Sequence, residues 1–410
     1  MLSKHPFERV KFFSAEIGPR GPTTEAEARA AAYAASELEQ CGAREVAIET
    51  FRSVPSLWRA LEIACILVLV ATLVYLPAHG RFWPWCVLIC LIALAVIIGE
   101  FSFWKYSLSN LLCKRISQNV YAKVSPKRDA RNQLVVIGHL DTNRTPKLFH
   151  PRIVRHLPGI LVFVFVCVVL KILVFIFGSV GGAFAAGASA AFLLDLPVLI
   201  LLVVMIHGDF FSPFTEGAND NATGAALALS LGEFFARDPL ELTEVWIVCT
   251  GCEEATLTGI RAFLNRHGER LRNAYFVDLE CLGIGELRYV TCEGMLKKYY
   301  SDPGILRAAA AAAEVVGGGI EAIRLTRGYT ETAIVAGRGY KGITVMAFPH
   351  GSDEVPHWHQ ITDRIENIGP QNLSKAMDFL VALARELDAG HEPPDSEERK
   401  YLSTKAAESL

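Results

Sequence analysis

The sequence has little net charge and no concentration of basic residues. It contains 40 Lys and Arg against 43 Asp and Glu, which gives a net charge of -3. No basic patch is interleaved with aromatic residues, so we expect no nucleic-acid partner. The first 40 residues lack the basic, apolar and small-residue pattern of a signal peptide, and we therefore expect no removable leader.

The ten cysteines lack the compact spacing of a disulfide framework. This agrees with a reducing compartment. Cys249 and Cys252 have the spacing of a redox or zinc pair, but no second pair accompanies them. We interpret these two as packing residues at the end of a strand.

Apolar residues are abundant and unevenly placed. They make up 51% of the chain and are concentrated at residues 60–77, 83–101, 157–177 and 183–206. Each block has about the ~20 residues that a helix needs to cross a bilayer. Short turns join the blocks pairwise, so the sequence predicts four transmembrane helices in two hairpins, each returning the chain to its side of origin.

Basic residues flanking these blocks predict the orientation. The two hairpin turns together contain only one Lys or Arg, Arg81. By the positive-inside rule, we expect a multi-pass integral membrane protein whose polar domain is cytoplasmic. The basic residues on the domain side are Arg52, Arg59, Lys105, Lys114, Arg115, Lys147, Arg152 and Arg155.

Outside the hairpins, strand patterns alternate with helix patterns. This order predicts an α/β fold with three α/β/α layers and a mostly parallel mixed sheet. Thr24 and Glu27 have the form of a capping box before an alanine-rich helix. The predicted strands are 45–51, 119–124, 134–138, 244–249, 274–278, 287–291, 322–325 and 343–348, and the later helices 223–237, 257–267, 304–316 and 371–387.

The predicted organisation is one domain interrupted twice. Residues 1–59, 104–155 and 207–387 form the domain, residues 60–103 and 156–206 the two hairpins, and residues 388–410 a polar, solvated tail.

Two short strings place ionisable groups directly after buried strands. His139 and Asp141 follow one apolar run, and Glu253 and Glu254 follow another. Ligands bind at the carboxyl ends of strands in α/β sheets. Two adjacent glutamates there would repel unless a cation or a proton separated them. The strings therefore predict a metal site.

Three further residues that could bind a metal lie in turns or at strand ends. They are Asp220 in a Gly-rich turn, Asp278 at a strand end, and His359, which is followed by Asp363. Any one alone is more often a cap or a turn former, but together they form a set of imidazoles and carboxylates that suits zinc. A bridging carboxylate makes a two-metal site possible, with Glu253 left over as general base.

The order and spacing of these residues resemble the co-catalytic zinc exopeptidases of peptidase clan MH, the group with bacterial leucyl aminopeptidase, glutamate carboxypeptidase II and glutaminyl cyclase. The resemblance covers about residues 12–52, 117–150 and 208–387 and leaves both hairpins as insertions. It implies two Zn²⁺ per chain, with Asp220 bridging them. It further implies that His139 and Asp278 complete one ion and that Glu254 and His359 complete the other.

The resemblance also implies the remaining roles. Asp141 and Asp363 would be supporting carboxylates, and the peptide bond after Asp220 would be cis. Glu253 would take a proton from the water between the metals, and the hydroxide would attack a peptide carbonyl. Trp358 stands where several relatives have Tyr, and Thr330-Glu331 where they have Ser-Asp or Thr-Asp. The oxyanion donor, for which Tyr329 is a candidate, and the specificity pocket therefore stay open.

The favoured function is that of a membrane-anchored zinc aminopeptidase acting on peptides. A glutaminyl cyclase with one zinc, a carboxypeptidase and a non-catalytic membrane scaffold are the alternatives. The sequence leaves the substrate side chain and the oligomeric state undetermined. Because the second hairpin separates Asp141 from Asp220, we expect the site to lie near the membrane, either to select hydrophobic peptides or only because it is anchored there. Lys171 and Asp195, both inside that hairpin, are predicted to pair.

Overall fold

The computed structural model describes residues 2–390 except Ala78, Cys113 and Leu296. Residues 391–410 of the predicted tail lie outside the described residues. The helices are α1 (Pro6–Lys11), α2 (Glu25–Gln40), α3 (Trp58–Tyr75), α4 (Trp83–Phe101), α5 (Pro151–Val154), α6 (Leu157–Val180), α7 (Phe184–Phe211), α8 (Thr223–Arg237), α9 (Thr258–His267), α10 (Pro303–Val315), α11 (Glu331–Gly337) and α12 (Pro370–Ala389). The strands are β1 (Arg44–Ser53), β2 (Arg115–Val124), β3 (Asn132–His139), β4 (Thr243–Thr250), β5 (Tyr275–Leu279), β6 (Glu286–Glu293), β7 (Tyr299–Tyr300), β8 (Glu321–Leu325) and β9 (Lys341–Phe348).

All nine described strands form one mixed sheet in the order β1-β2-β4-β3-β5-β9-β6-β7, with β8 also paired to β6. The central strands β4, β3, β5 and β9 are parallel to their neighbours in that group, and the antiparallel pairings lie toward the edges. The predicted α/β class and mixed sheet are confirmed.

Helices cover both faces of this sheet. Leu134 and Val136 of β3 pack into the core beneath α8, α10 and α12, whereas Val135 and Ile137 pack into a core with α9 and α11. A parallel strand buried on both faces reads as a continuous apolar run, as β3 does. The three predicted layers are therefore present.

The four apolar blocks form four long helices, each long and apolar enough to cross a membrane. α3 packs on α4 and α7, and α6 packs on α7 and α4, which closes the four helices into a bundle. α7 continues five residues past the predicted end at residue 206, to Phe211.

The predicted pair inside the second hairpin is present. Lys171 Nζ donates to the Asp195 carboxylate and, over 2.5 Å, to the Val68 carbonyl of α3. The Lys171 side chain is fully buried, so the charge is placed where its partner and a carbonyl oxygen replace water.

Candidate metal centre

Two imidazoles and three carboxylates meet at the carboxyl end of the central strands. His139 Nε2 lies 3.2 Å from Asp220 Oδ1 and 3.5 Å from Glu280 Oε2. His359 Nε2 lies 3.2 Å from Asp220 Oδ2 and 3.1 Å from Glu254 Oε1. The two oxygens of Asp220 thus face different histidines, and the residues form two groups that share one carboxylate.

Glu280, which the sequence analysis missed, occupies the place expected for Asp278. Asp278 pairs with Ile137 across β5 and β3, two residues before His139, so Glu280 is the residue level with His139. The side chain of Asp278 lies two residues before Glu280, farther from the carboxyl end of the sheet. There its Oδ2 accepts a hydrogen bond from the Thr332 amide at 3.2 Å. It forms a separate buried acidic group with Glu280 and Glu331. The expected placement of Asp278 beside His139 and Asp220 is therefore corrected.

Asp141 positions the Glu-Glu pair. Its two carboxylate oxygens accept hydrogen bonds from the backbone amides of Glu253 and Glu254, each at 3.0 Å. Its backbone carbonyl accepts from His139 Nδ1 at 3.0 Å, which leaves His139 Nε2 directed at the carboxylates. The support for the imidazole predicted for Asp141 thus comes from its carbonyl, and the carboxylate fixes the glutamates.

Asp363 acts on the Asp220 turn rather than on His359. Its carboxylate accepts from the amides of Asn219, at 2.7 Å, and of Asp220, at 3.1 Å. The peptide bond between Asp220 and Asn221 is cis, as the resemblance implied. Asn143, not foreseen from the sequence, donates from Nδ2 to Glu254 Oε2 at 2.7 Å.

Arg20 joins the chain segments on either side of the second hairpin. It is fully buried, and its guanidinium donates to the carbonyls of Leu140 (2.8 Å), Glu216 (2.8 Å) and Gly217 (3.0 Å). Beyond it, the amide of Thr145 donates to Pro213 O and the amide of Thr215 to Asn143 O, each at 2.9 Å. The two flanks of the hairpin are therefore paired where they leave the domain.

Glu27 supports the loop that contains Glu253 and Glu254. The backbone amide of Cys252, directly before Glu253, donates to Glu27 Oε1 at 2.9 Å, and Ser117 Oγ donates to Oε2 at 3.0 Å. The capping contact also forms, since the Glu27 amide donates to the Thr24 hydroxyl at 3.3 Å. The Glu27 carboxylate, however, accepts from Thr23 N rather than Thr24 N, so only half of the predicted capping box is present. Cys252 and Cys249 are free and buried.

Burial and like charges dominate the electrostatics of the centre. Burial raises the pKa of Glu253 well above its usual value, and Glu254, Glu280 and Asp141 raise it further against the opposing effect of His139. Burial likewise raises the pKa of Glu280 to about 8. Burial lowers the pKa of His359, but Glu254 and Asp220 outweigh it and raise that pKa to about 9. The pKa values of these carboxylates and imidazoles are thus shifted toward the protonated forms, because carboxylates outnumber basic groups in the cluster.

The donor set fits divalent cations. Asp220 Oδ2, Glu254 Oε1 and Glu280 Oε1 are buried and accept no well-aligned hydrogen bond from the described residues, although His359 Nε2 lies 3.2 Å from the first and 3.1 Å from the second. Buried oxygens without a donor are costly unless a cation meets them. Imidazole nitrogen with carboxylate oxygen is a combination that zinc accepts.

The metal centre adjoins the four-helix bundle. The Phe149 ring lies 4.2 Å from the His359 ring and 6.4 Å from Trp58, the first residue of α3. Trp358 packs edge-on against Phe149 at 4.9 Å, and Tyr329 packs against Phe103, just after α4, at 5.0 Å. The hairpins are thus part of the walls around the site.

Residues 200–384 match the family model described as Peptidase family M28. This segment of the chain is similar to M28 peptidases. The matched segment contains Asp220, Glu253, Glu254, Glu280 and His359, and the fold brings His139 to it from outside. The resemblance drawn from the sequence is confirmed.

Solved structures share the fold of this chain. A zinc aminopeptidase from Bacillus subtilis matches with a TM-score of 0.57 at 15% identity, covering 93% of this chain and 94% of that chain. A glutaminyl cyclase from Bacteroides thetaiotaomicron matches with a TM-score of 0.55 at 14% identity, covering 93% and 96%. The LapA aminopeptidase of Legionella pneumophila matches with a TM-score of 0.53 at 11% identity, covering 95% and 72%. No curated protein sequence gives a significant match.

Proposed function

We propose that the protein is a membrane-anchored zinc exopeptidase with two Zn²⁺ per chain, acting as an aminopeptidase. The observation that carries this proposal is the sharing of Asp220, whose two oxygens face His139 and His359 separately. The M28 match and the fold shared with zinc aminopeptidases support it.

In this proposal, Asp220 would be shared by both metals, His139 and Glu280 would hold one ion, and Glu254 and His359 would hold the other. Bound zinc would supply Lewis acidity, which lowers the pKa of water and polarises the carbonyl of the substrate.

Glu253 is the group that moves the proton. It follows the strand end directly, its amide is fixed by Asp141, and its Oε2 lies 3.9 Å from His139 Nε2. From there its carboxylate can accept the proton of the attacking water and deliver it to the leaving amine. Adjacent glutamates thereby divide two tasks, because Glu254 is fixed by Asn143 while Glu253 stays available.

Metal analysis and a peptide panel on the purified full chain test this function. We expect close to two zinc ions per chain and release of N-terminal residues from unblocked peptides. Chelation should abolish the activity and added Zn²⁺ should restore it. Glu253→Gln should retain both metals and lose at least a thousandfold in kcat. Full activity of that variant would contradict the assignment of the base.

A glutaminyl cyclase is the second candidate, because the Bacteroides thetaiotaomicron cyclase shares the fold nearly as well as the aminopeptidases do. One zinc per chain and cyclisation of an N-terminal glutamine peptide would favour it. A non-catalytic scaffold is disfavoured because the chain has both the proposed base, Glu253, and the buried carboxylates of the metal centre.

We further propose that the helices α3, α4, α6 and α7 cross a bilayer and that the α/β domain lies on the cytoplasmic side. Their length and composition support the first part, and the basic flanking residues support the second.

A further inference from the structure

One cavity of about 450 Å³ connects the metal centre with the interior of the helical bundle. At one end its wall contains His139, Asp220, Glu253, Glu254, Glu280 and His359. At the other end all four membrane helices contribute apolar side chains. The reacting groups therefore open into a chamber inside the proposed membrane region.

The apolar part of the chamber is deep. On α3 it reaches Cys65, seven residues beyond Trp58, and on α6 it reaches Phe165, eight residues beyond Leu157. At 1.5 Å per residue these positions lie ~10 to 12 Å inside the bundle. This depth exceeds what the side chain of a single N-terminal residue would occupy beside the metals.

Two exposed side chains border the chamber. Ile98 of α4 and Val162 of α6 line it, and they are 36% and 50% exposed. Helices α4 and α6 pack on each other. In the proposed membrane, an entrance between these two helices would admit a molecule dissolved in the bilayer without passage through water.

The chemistry of the wall selects the kind of molecule. An extended peptide in the deep part would leave its N–H and C=O groups without partners among Leu61, Leu161, Phe165 and Met205, at a cost of several kcal/mol per group. A hydrocarbon chain carries no such groups and gains ~0.8 kcal/mol for each buried methylene. The deep chamber therefore suits an acyl chain better than a peptide segment.

We propose that this protein hydrolyses amides whose acyl side is a long fatty chain, that is, N-acyl amino acids or N-acylated peptides. The inference rests on the proposed metal-assisted hydrolysis and replaces the N-terminal residue of the substrate by a fatty acyl group. The C–N bond of the amide breaks, the oxygen of water joins the acyl carbon to give a fatty carboxylate, and Glu253 passes the proton to the leaving amine. The chain lies between α3, α4, α6 and α7 while the amide lies at the metals.

The first test measures kcat/KM of the full-length protein in liposomes with N-acylglycines of two to sixteen acyl carbons. Rates are referred to the free aqueous concentration of each substrate, because the gain per methylene is defined relative to water. We expect kcat/KM to rise about fourfold per methylene until the chain fills the chamber, and then to level off. A chain-length series that stays flat after this correction would overturn the proposal.

A matched pair of variants on α6 distinguishes an effect of the chamber from an effect at the outer surface of the bundle. Leu161 lines the chamber, whereas Leu170 is 45% exposed and lies outside its wall. Leu161→Trp should lower the ratio of long-chain to short-chain kcat/KM at least tenfold, and Leu170→Trp should leave that ratio unchanged. Equal effects of the two variants would mean that the chamber does not hold the chain.

A binding measurement keeps this inference distinct from the proposed function. Photoreactive hexadecanoate, the expected type of product, should label the chamber residues of α3 and α6 in the wild-type protein and much less in Leu161→Trp. Labelling elsewhere overturns the acyl site even if peptides are cleaved. Labelling of the chamber without hydrolysis of any amide by the zinc-loaded protein would overturn both the proposed function and the acyl-amide substrate.

Discussion

At the scale of single residues, a difference of two positions in the chain decides which carboxylate lies beside His139 and Asp220. Asp278 and Glu280 are two positions apart, and side chains two apart in an extended strand point to the same face. Periodicity alone could not choose between them. The register could, because Asp278 pairs with Ile137 and places Glu280 level with His139.

Metal content should distinguish these two residues. Glu280→Ala removes a carboxylate that lies 3.5 Å from His139 Nε2, so we expect the loss of about one zinc per chain. Asp278→Asn keeps its size and lies outside that group, so we expect both metals to stay. The measurement is zinc content by mass spectrometry after dialysis. If Asp278→Asn lost the metal and Glu280→Ala kept it, the assignment from the sequence would be right.

The other ligand types were predictable because each follows a recognisable pattern. His139, Glu253 and Glu254 end or follow apolar runs, and Asp220 lies in a Gly-rich turn. Asn143 and Arg20 were not, since their role comes from contacts between segments far apart in the sequence. Arg20, for example, meets carbonyls 120 and 196 positions away.

Glu27 gives a residue-scale prediction about stability. Glu27→Ala leaves the amides of Cys252 and Thr23 without their acceptor, and each unpaired buried amide costs about 1 to 3 kcal/mol. We expect the free energy of unfolding to fall by roughly 2 to 5 kcal/mol. We also expect a lower kcat, because Cys252 directly precedes Glu253. Thermal unfolding and peptidase assays measure both. Glu25→Ala, an exposed change in the same helical turn, is the control and should alter neither.

At the scale of elements, long and strongly patterned segments were predicted closely and short ones were missed. α8 and α4 have the predicted bounds. β7, with two residues, and α11, with seven, are too short for a period to appear in the sequence. They form because neighbouring elements supply their contacts, such as the pairing of β7 with β6.

The second hairpin gives an element-scale prediction. Lys171→Ala leaves Asp195 buried without its cation, which costs about 3 to 5 kcal/mol. We expect less folded protein in detergent and a lower midpoint of unfolding. Lys171→Leu combined with Asp195→Leu removes both charges and should recover most of the loss. Unchanged folding and insertion of Lys171→Ala would show that the pair does not stabilise the hairpin.

At the scale of the whole molecule, two apolar hairpins are inserted into one α/β domain and both contribute walls to its site. The sequence predicted the hairpins from hydropathy, but it could not show that their domain-side ends surround the metal centre. That arrangement depends on contacts such as that of Phe149 with His359, which joins a linker to a proposed metal ligand 210 residues later.

The orientation in the bilayer is a prediction for the whole molecule. An epitope inserted at Gly181, in the turn between α6 and α7, should be accessible from outside intact cells. An epitope after Leu410 should become accessible only after permeabilisation. The reverse pattern would place the α/β domain on the other side and contradict the positive-inside argument.

The hydrogen bonds of Arg20 have a mechanical consequence. They join Leu140 to Glu216 and Gly217, and the paired flanks beyond them close the base of the second insertion. In the proposed membrane, tilting of α6 and α7 as bilayer thickness changes would therefore be resisted at this base before it displaced His139 or Asp220. Because the two flanks of the insertion are hydrogen-bonded to each other, changes in the length or sequence of its helices need not alter the domain. Such changes can therefore accumulate over evolution while the distances between the proposed metal ligands stay the same.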